Sequence, residues 1–166
     1  MTKEPTSLLG RVLAHRWRFL KFCLVGGSGV FVNLGFVWLA NDVLFAAMTE
    51  WWRTSLAYLV GIVVSIFTNF LLNDFWTWKD RREGGGAAFF TRLVKYYAVS
   101  ALAALLQYAT SLGATALVAV LFYGSTGAVV AIWWKWLAVL SGVAVGTLVN
   151  FVVNHVWTYG KEKGPG

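Results

Sequence analysis

Residues Trp136–Tyr159 read WLAVLSGVAVGTLVNFVVNHVWTY. Every fourth position gives Ala138, Gly142, Gly146, Asn150 and Asn154. An earlier stretch gives, in the same way, Ala57, Gly61, Ser65, Asn69 and Asn73. Both stretches close alike, as Asn73-Asp74-Phe75-Trp76-Thr77-Trp78 and Asn154-His155-Val156-Trp157-Thr158-Tyr159. Residues four apart lie on one side of a helix. Because successive fourth residues advance about 40° around the axis, each ladder is a slanted stripe. The small upper rungs suit close helix contact. The amide rungs, displaced around the helix, are free to face a different neighbour or a groove.

The composition around these ladders is that of a membrane protein. Of 166 residues, 58% are hydrophobic and 13% charged, against about a quarter charged in soluble domains. Four apolar runs exceed the length needed to span a bilayer: about Phe19–Leu44, Ser55–Trp78, Leu93–Tyr123 and Trp133–Tyr159. The expected fold is all-α and polytopic, with residues 19–160 as one transmembrane domain. Little chain is left over for a separate soluble domain. Residues 1–18 place Leu8, Leu9, Val12 and Leu13 at helical spacing among basic residues. They read either as an amphipathic surface helix or as a frayed tail. Residues 161–166 form a short basic tail. No signal peptide is expected, since the first apolar run is of full spanning length and no small-residue cleavage site follows the charged region.

The net charge of +7 would suggest nucleic acid in a soluble protein. Here it reads as topology, with no nucleic-acid partner expected. Twelve Lys and Arg fall in the tails, the central loop and the adjoining helix starts, whereas the other two connections hold only Arg53 and Lys135. Both termini are therefore expected in the cytoplasm. Trp and Tyr gather at both expected interfaces. The lone Cys23 permits no intrachain disulfide and belongs to no metal motif. No metal, cofactor or catalytic residue is expected, because no carboxylate pair, Cys-His cluster or Ser-His-Asp arrangement is suggested by spacing. Gly26-Gly27-Ser28-Gly29 lacks the strand-to-helix context of a phosphate loop. It reads as a site of close backbone approach, within the chain or in a homo-oligomer.

The repetition extends beyond the ladders. Arg18-Phe19-Leu20-Lys21-Phe22 matches Arg92-Leu93-Val94-Lys95-Tyr96 at an offset of 74, which also brings Asn33 onto Gln107. The ladders match at an offset of 81, so the second half carries seven extra residues before its ladder. Two helices per repeat return the chain to its starting side. The expectation is thus two parallel repeats, about 18–79 and 92–160.

At about 1.5 Å per residue, Asn33, Asn69, Gln107 and Asn150 reach a similar depth near the bilayer midplane. Asn73 and Asn154 lie one turn nearer the cytoplasm, followed by Asp74 and His155. Such amides either hydrogen-bond between helices or bind the hydroxyls of a sugar headgroup, for which Asp74 and His155 are candidates beside them. The Arg-x-x-Lys pairs, Arg18 with Lys21 and Arg92 with Lys95, form a basic rim suited to a phosphate. The same residues also fit plain positive-inside topology with snorkelling stems. Arg53 and Lys135 are outer-side phosphate candidates or helix anchors. Asp74 is placed to pair with His155, Arg18 or Lys21, and His155 to titrate near neutral pH in proton coupling. No helix carries an acid at midplane, which argues against a small-molecule exporter.

Two two-helix repeats, a basic-aromatic opening running into Val25-Gly26, and ends of the form Asn-x-x-x-Asn-x-x-Trp-Thr-aromatic resemble the GtrA-like membrane proteins over about residues 18–160. The family pattern commonly has Arg after the second Asn, where this chain has Asp74 and His155. The phosphate contact would then fall to Arg18, Lys21, Arg92 or Lys95. The resemblance implies translocation of a polyprenyl-phosphate-linked monosaccharide across the bacterial or archaeal cytoplasmic membrane for cell-surface polysaccharide. The alternative it implies, after some members of the family, is a non-transporting partner that recruits or positions a membrane glycosyltransferase.

Overall fold

A computed structural model describes residues 16–82, 84–125 and 129–160. The expected amphipathic segment before Arg16, part of the second connection (Thr126 and Gly127) and the 161–166 tail lie outside the described residues. Four helices carry the fold: α1 (Arg16–Leu39), α2 (Glu50–Leu72), α3 (Gly86–Tyr123) and α4 (Ile132–Val153). With the turns that extend them, all four are long and apolar enough to cross a membrane, at Arg16–Leu44, Glu50–Thr77, Gly86–Tyr123 and Ile132–Thr158. Phe31, Val94, Leu105 and Leu121 are among many large apolar side chains left exposed. Such surface is stable against lipid and not against water. The chain is a multi-pass α-helical membrane protein.

The chain divides into two compact units, Met1–Ala88 and Phe89–Gly166. In the first, α1 packs on α2. Gly61 lies so close to α1 that a Cβ there would stand 2.5 Å from the Val37 side chain and 3.0 Å from the Asn33 carbonyl. In the second, a Cβ at Gly142 would run into the Ser111 hydroxyl and the Gln107 carbonyl. Gly61 and Gly142 are 81 positions apart, and Asn33 and Gln107, like Val37 and Ser111, 74 apart. Equivalent residues thus make equivalent contacts inside each unit. The small rungs Ala57, Gly61 and Ser65, and Ala138, Gly142 and Gly146, are buried along these seams.

Close approach on α1 is narrower than expected. A Cβ at Gly29 would strike the Asn69 side chain, whereas Gly26 and Gly27 have no atom within 4 Å of that position. The third helix also starts earlier than the charge pattern suggested. It begins at Gly86, two turns before Arg92, just after Gly84 reverses the chain at φ +85°.

Three helix ends widen into single turns closed by i→i+5 hydrogen bonds: Phe45 N–H to Ala40 O, Trp78 N–H to Asn73 O and Tyr159 N–H to Asn154 O, each 2.9 Å. Two of them occupy Asn73–Thr77 and Asn154–Thr158, the ends that the sequence repeats. In a regular α-helix, Thr77 would share the face of Asn73 and Trp78 would point well away. The wide turn carries one more residue, so Asn73, Thr77 and Trp78 are all buried, as are Asn154, Thr158 and Tyr159. Trp78 and Tyr159 are therefore not interfacial anchors. They are core residues, with Trp78 edge-on to Phe22 at 5.6 Å.

Candidate functional site

Wide turns of this kind are uncommon and recur at functional sites. The one at Asn73–Thr77 forms a wall of a cleft of about 260 Å³ at the basic end of the first unit. Lining it are Arg18, Lys21 and Lys79, the acid Asp80, the indoles of Trp17 and Trp76, and Thr77. Lys21 Nζ lies 5.5 Å from the centre of the Trp76 ring, a cation–π distance. Arg18 donates to Asp80 at 2.6 Å. Burial pulls the Asp80 carboxyl upward, but the Arg18 guanidinium, its own backbone hydrogen bond and Arg81 prevail and hold it below its ordinary value. Thr77 is 3% exposed, and its Oγ1 has no hydrogen-bond partner within the protein. A buried hydroxyl left so is costly unless something else meets it. The cleft thus gathers three cations, one acid and a hydroxyl, the donor chemistry that charge-assisted hydrogen bonds to an oxyanion use.

The amides of the first unit run up from this cleft. Asn69 is held against Gly29, and its Oδ1 is buried without a partner. Asn33 Oδ1 faces the Gly61 position at 3.3 Å. Asn73 and Asp74 are fully buried in the wide turn. The Asp74 carboxylate lies 4.0 Å from the Arg82 guanidinium, so the acid that seemed placed for Arg18 or Lys21 faces Arg82, and Arg18 goes to Asp80.

In the second unit, Lys95 stands 5.5 Å from the Trp157 ring, the equivalent of Lys21 on Trp76. Arg92 is buried. Asn154 does not reach outward. Its Nδ2 donates to the Asn150 carbonyl at 2.9 Å and to Asn150 Oδ1 at 2.7 Å, while its own Oδ1 is buried without a partner. His155 tilts against the Phe151 ring at 5.8 Å. Gln107 borders a cleft toward the other end of the unit, shared with Lys135. At the far end of the first unit, Arg53 is tied to Glu50 in an ion pair one turn away.

Lys79, Thr77 and Asp80 were missed by sequence reasoning, which took Lys79 and Asp80 as loop charge. Their signal was present in the segment Thr77-Trp78-Lys79-Asp80, which directly follows the amide ladder. Among the described residues no group of His, Cys, Asp and Glu could hold a metal ion.

Four helices long and apolar enough to span a membrane, with a cationic cleft in the first unit, define the class: a multi-pass α-helical membrane protein. A family model, the GtrA/DPMS transmembrane domain, matches residues 21–157, and the chain belongs to that family. The family as a whole relates to polyprenyl-phosphate sugar lipids and glycosyltransferases. The chain is also 34% identical over 91 residues to a dolichol-phosphate mannosyltransferase of Pyrococcus furiosus. That match covers 55% of this chain and 23% of the relative, so the chain spans about a quarter of the relative's length.

Proposed function

We propose that this protein translocates a polyprenyl-phosphate-linked monosaccharide across a bacterial or archaeal cytoplasmic membrane, with its termini and the central loop on the cytoplasmic side. The observation that carries this reading is the cleft of Arg18, Lys21, Lys79 and Thr77. In it the cations receive the lipid phosphate, the Thr77 hydroxyl donates to a phosphate oxygen, and the Trp76 indole flanks the sugar. The amides Asn33 and Asn69 of the first repeat, and Gln107 and Asn150 of the second, offer donors and acceptors to sugar hydroxyls. The polyprenyl tail stays in lipid. The matching contacts of Gly61 and Gly142 support two parallel repeats. In this reading the chain makes and breaks no covalent bond, and the lipid gradient drives net movement.

The test uses purified protein in proteoliposomes with a labelled polyprenyl-phosphate hexose. Transfer between leaflets is expected, and the N69L/N150L double variant should abolish it without loss of helical circular dichroism. Undiminished transfer in that variant would sink the amide path.

The similarity to part of a dolichol-phosphate mannosyltransferase favours a second reading, a membrane partner that positions such an enzyme. Under it, the purified protein would move no lipid, yet would raise the activity of a co-reconstituted glycosyltransferase.

A further inference from the structure

At the end of the second unit opposite Lys95 and Trp157 lie two cavities that share a wall. One, of about 530 Å³, is lined by Gln107, Tyr108, Ser111, Thr115, Lys135 and Val139. The other, of about 350 Å³, is bordered by Lys135 and Val139 together with Ile132, Trp136 and Leu140. The first is largely apolar and carries one polar row. Gln107, Ser111 and Thr115 form a polar row at spacing four on α3. Ser111 Oγ donates to the Gln107 carbonyl at 2.9 Å and Thr115 Oγ1 to the Ser111 carbonyl at 2.8 Å. With their protons so engaged, both hydroxyl oxygens keep acceptor capacity, Ser111 Oγ at the seam with Gly142 and Thr115 one turn further along the lining. The second cavity has apolar walls apart from Lys135. Among the described residues Lys135 is the one charged residue lining either cavity, and it stands where they meet.

The order along this surface is acceptor row, cation, apolar groove. That is the order of a phosphoglycolipid: polyol, phosphate, hydrocarbon. We infer that this end of the second unit binds an anionic glycolipid, its phosphate on Lys135, its sugar hydroxyls on the Gln107–Thr115 row and the start of its tail between Ile132 and Leu140. The inference rests on the translocation reading, which calls for a second anion site to receive the lipid after transfer.

The first unit holds an equivalent cleft of about 360 Å³ and does not share this chemistry. Leu34, Val37 and Thr54 stand where the second unit has Tyr108, Ser111 and Lys135. Asp42 and Glu50 line it, and Arg53 nearby is neutralised by Glu50. Carboxylates repel a phosphate. The two repeats are thus unequal at this end, and only the second is fit to receive an anion.

The experiment follows acylation of individual lysines in micelles by peptide mass spectrometry. At a polyprenyl-phosphate hexose concentration four times half-saturation, Lys135 should acylate about fivefold more slowly, by simple occupancy. Inorganic phosphate and an uncharged polyprenyl hexoside, at the same concentration, should leave its rate unchanged. The T115V variant, nearly isosteric, should weaken the protection, and R53Q should not. Lys135 acylating at the same rate with the phosphoglycolipid, or equally slowed by the uncharged lipid or by phosphate alone, overturns the inference. Protection of Lys21, measured in the same digest, reports the other cleft. Loss of Lys135 protection with Lys21 protection kept overturns this site alone. Kept protection with no leaflet transfer overturns the translocation reading instead.

Discussion

Replacing Gly142 by Ala should break the seam of the second unit, and the structure sets how badly. The added carbon would meet two atoms at once, the Ser111 hydroxyl and the Gln107 carbonyl oxygen, both far inside contact distance. A hydroxyl can rotate away, but a helix carbonyl cannot without moving α3. Overpacking of this kind costs about 1–3 kcal/mol, and the backbone contact puts G142A at the upper end, about 2–3 kcal/mol. A loss of about 2 kcal/mol is roughly a thirtyfold change in the folded ratio. The equivalent G61A meets the Val37 side chain at 2.5 Å and the Asn33 carbonyl at 3.0 Å. A rotamer change of Val37 relieves most of that, so about 1 kcal/mol is expected. G26A, with nothing within 4 Å, should be neutral or gain up to about 1 kcal/mol in helix propensity. The assay is SDS-driven unfolding in mixed micelles, followed by emission of the ten tryptophans. Adding S111A to G142A removes the hydroxyl clash and leaves the carbonyl, so rescue should be partial. Equal stability of G142A and G26A, or complete rescue by S111A, would refute the reasoning.

Three further outcomes follow from the basic cleft. T77V removes a buried hydroxyl with no partner inside the protein. It should unfold no more easily than wild type, and up to about 1 kcal/mol less easily, yet bind the phosphoglycolipid several-fold more weakly by native mass spectrometry. K21Q should weaken the same lipid uniformly across sugars, because the cation reads phosphate and the Trp76 face beneath it reads no hydroxyl pattern. The Asp80 carboxyl is held below its ordinary value by Arg18. The Arg18–Asp80 pair is therefore whole above the usual carboxylate range and is lost as pH falls through the lowered value. D80N should release Arg18 at neutral pH and tighten lipid binding there, and should flatten the acid-side change in affinity that wild type shows.

The spans were legible because a run of apolar residues has few other uses at that length. The seams were legible because small residues at spacing four leave no room for lipid between helices. The start of α3 was not. Gly84-Gly85-Gly86 looks like a linker, yet only Gly84 takes the left-handed conformation and the helix begins two residues later. The wide turns left no compositional mark, since a change from i→i+4 to i→i+5 bonding alters geometry and not residue type. Trp78 and Tyr159 were consequently placed at the interface, where aromatic residues of membrane proteins usually sit. Of the candidate site, Arg18 and Lys21 were visible as a basic pair. Thr77 and Lys79 came into the cleft only through the turn that brings them beside that pair. Arg53 was visible as a cation, and its neutralisation by Glu50 could have been read from their i, i+3 spacing.

The wide turns also govern which changes of chain length the protein can bear. Each holds one residue more than a regular helical turn would, so each is a place where a residue can leave without breaking the helix. Removing Phe75, an exposed residue, would let α2 run on as an ordinary helix, with the Trp78 N–H to Asn73 O bond becoming an i→i+4 bond. Trp78 would then follow Asn73 by four residues and keep its face toward Phe22, and Lys79 its place near Arg18. The same deletion in the regular helix before Asn73 has no extra residue to absorb it and would turn one side of the helix by about 100° against the other. The basic cleft is therefore tolerant of a lost residue inside the wide turn and sensitive to one lost just before it.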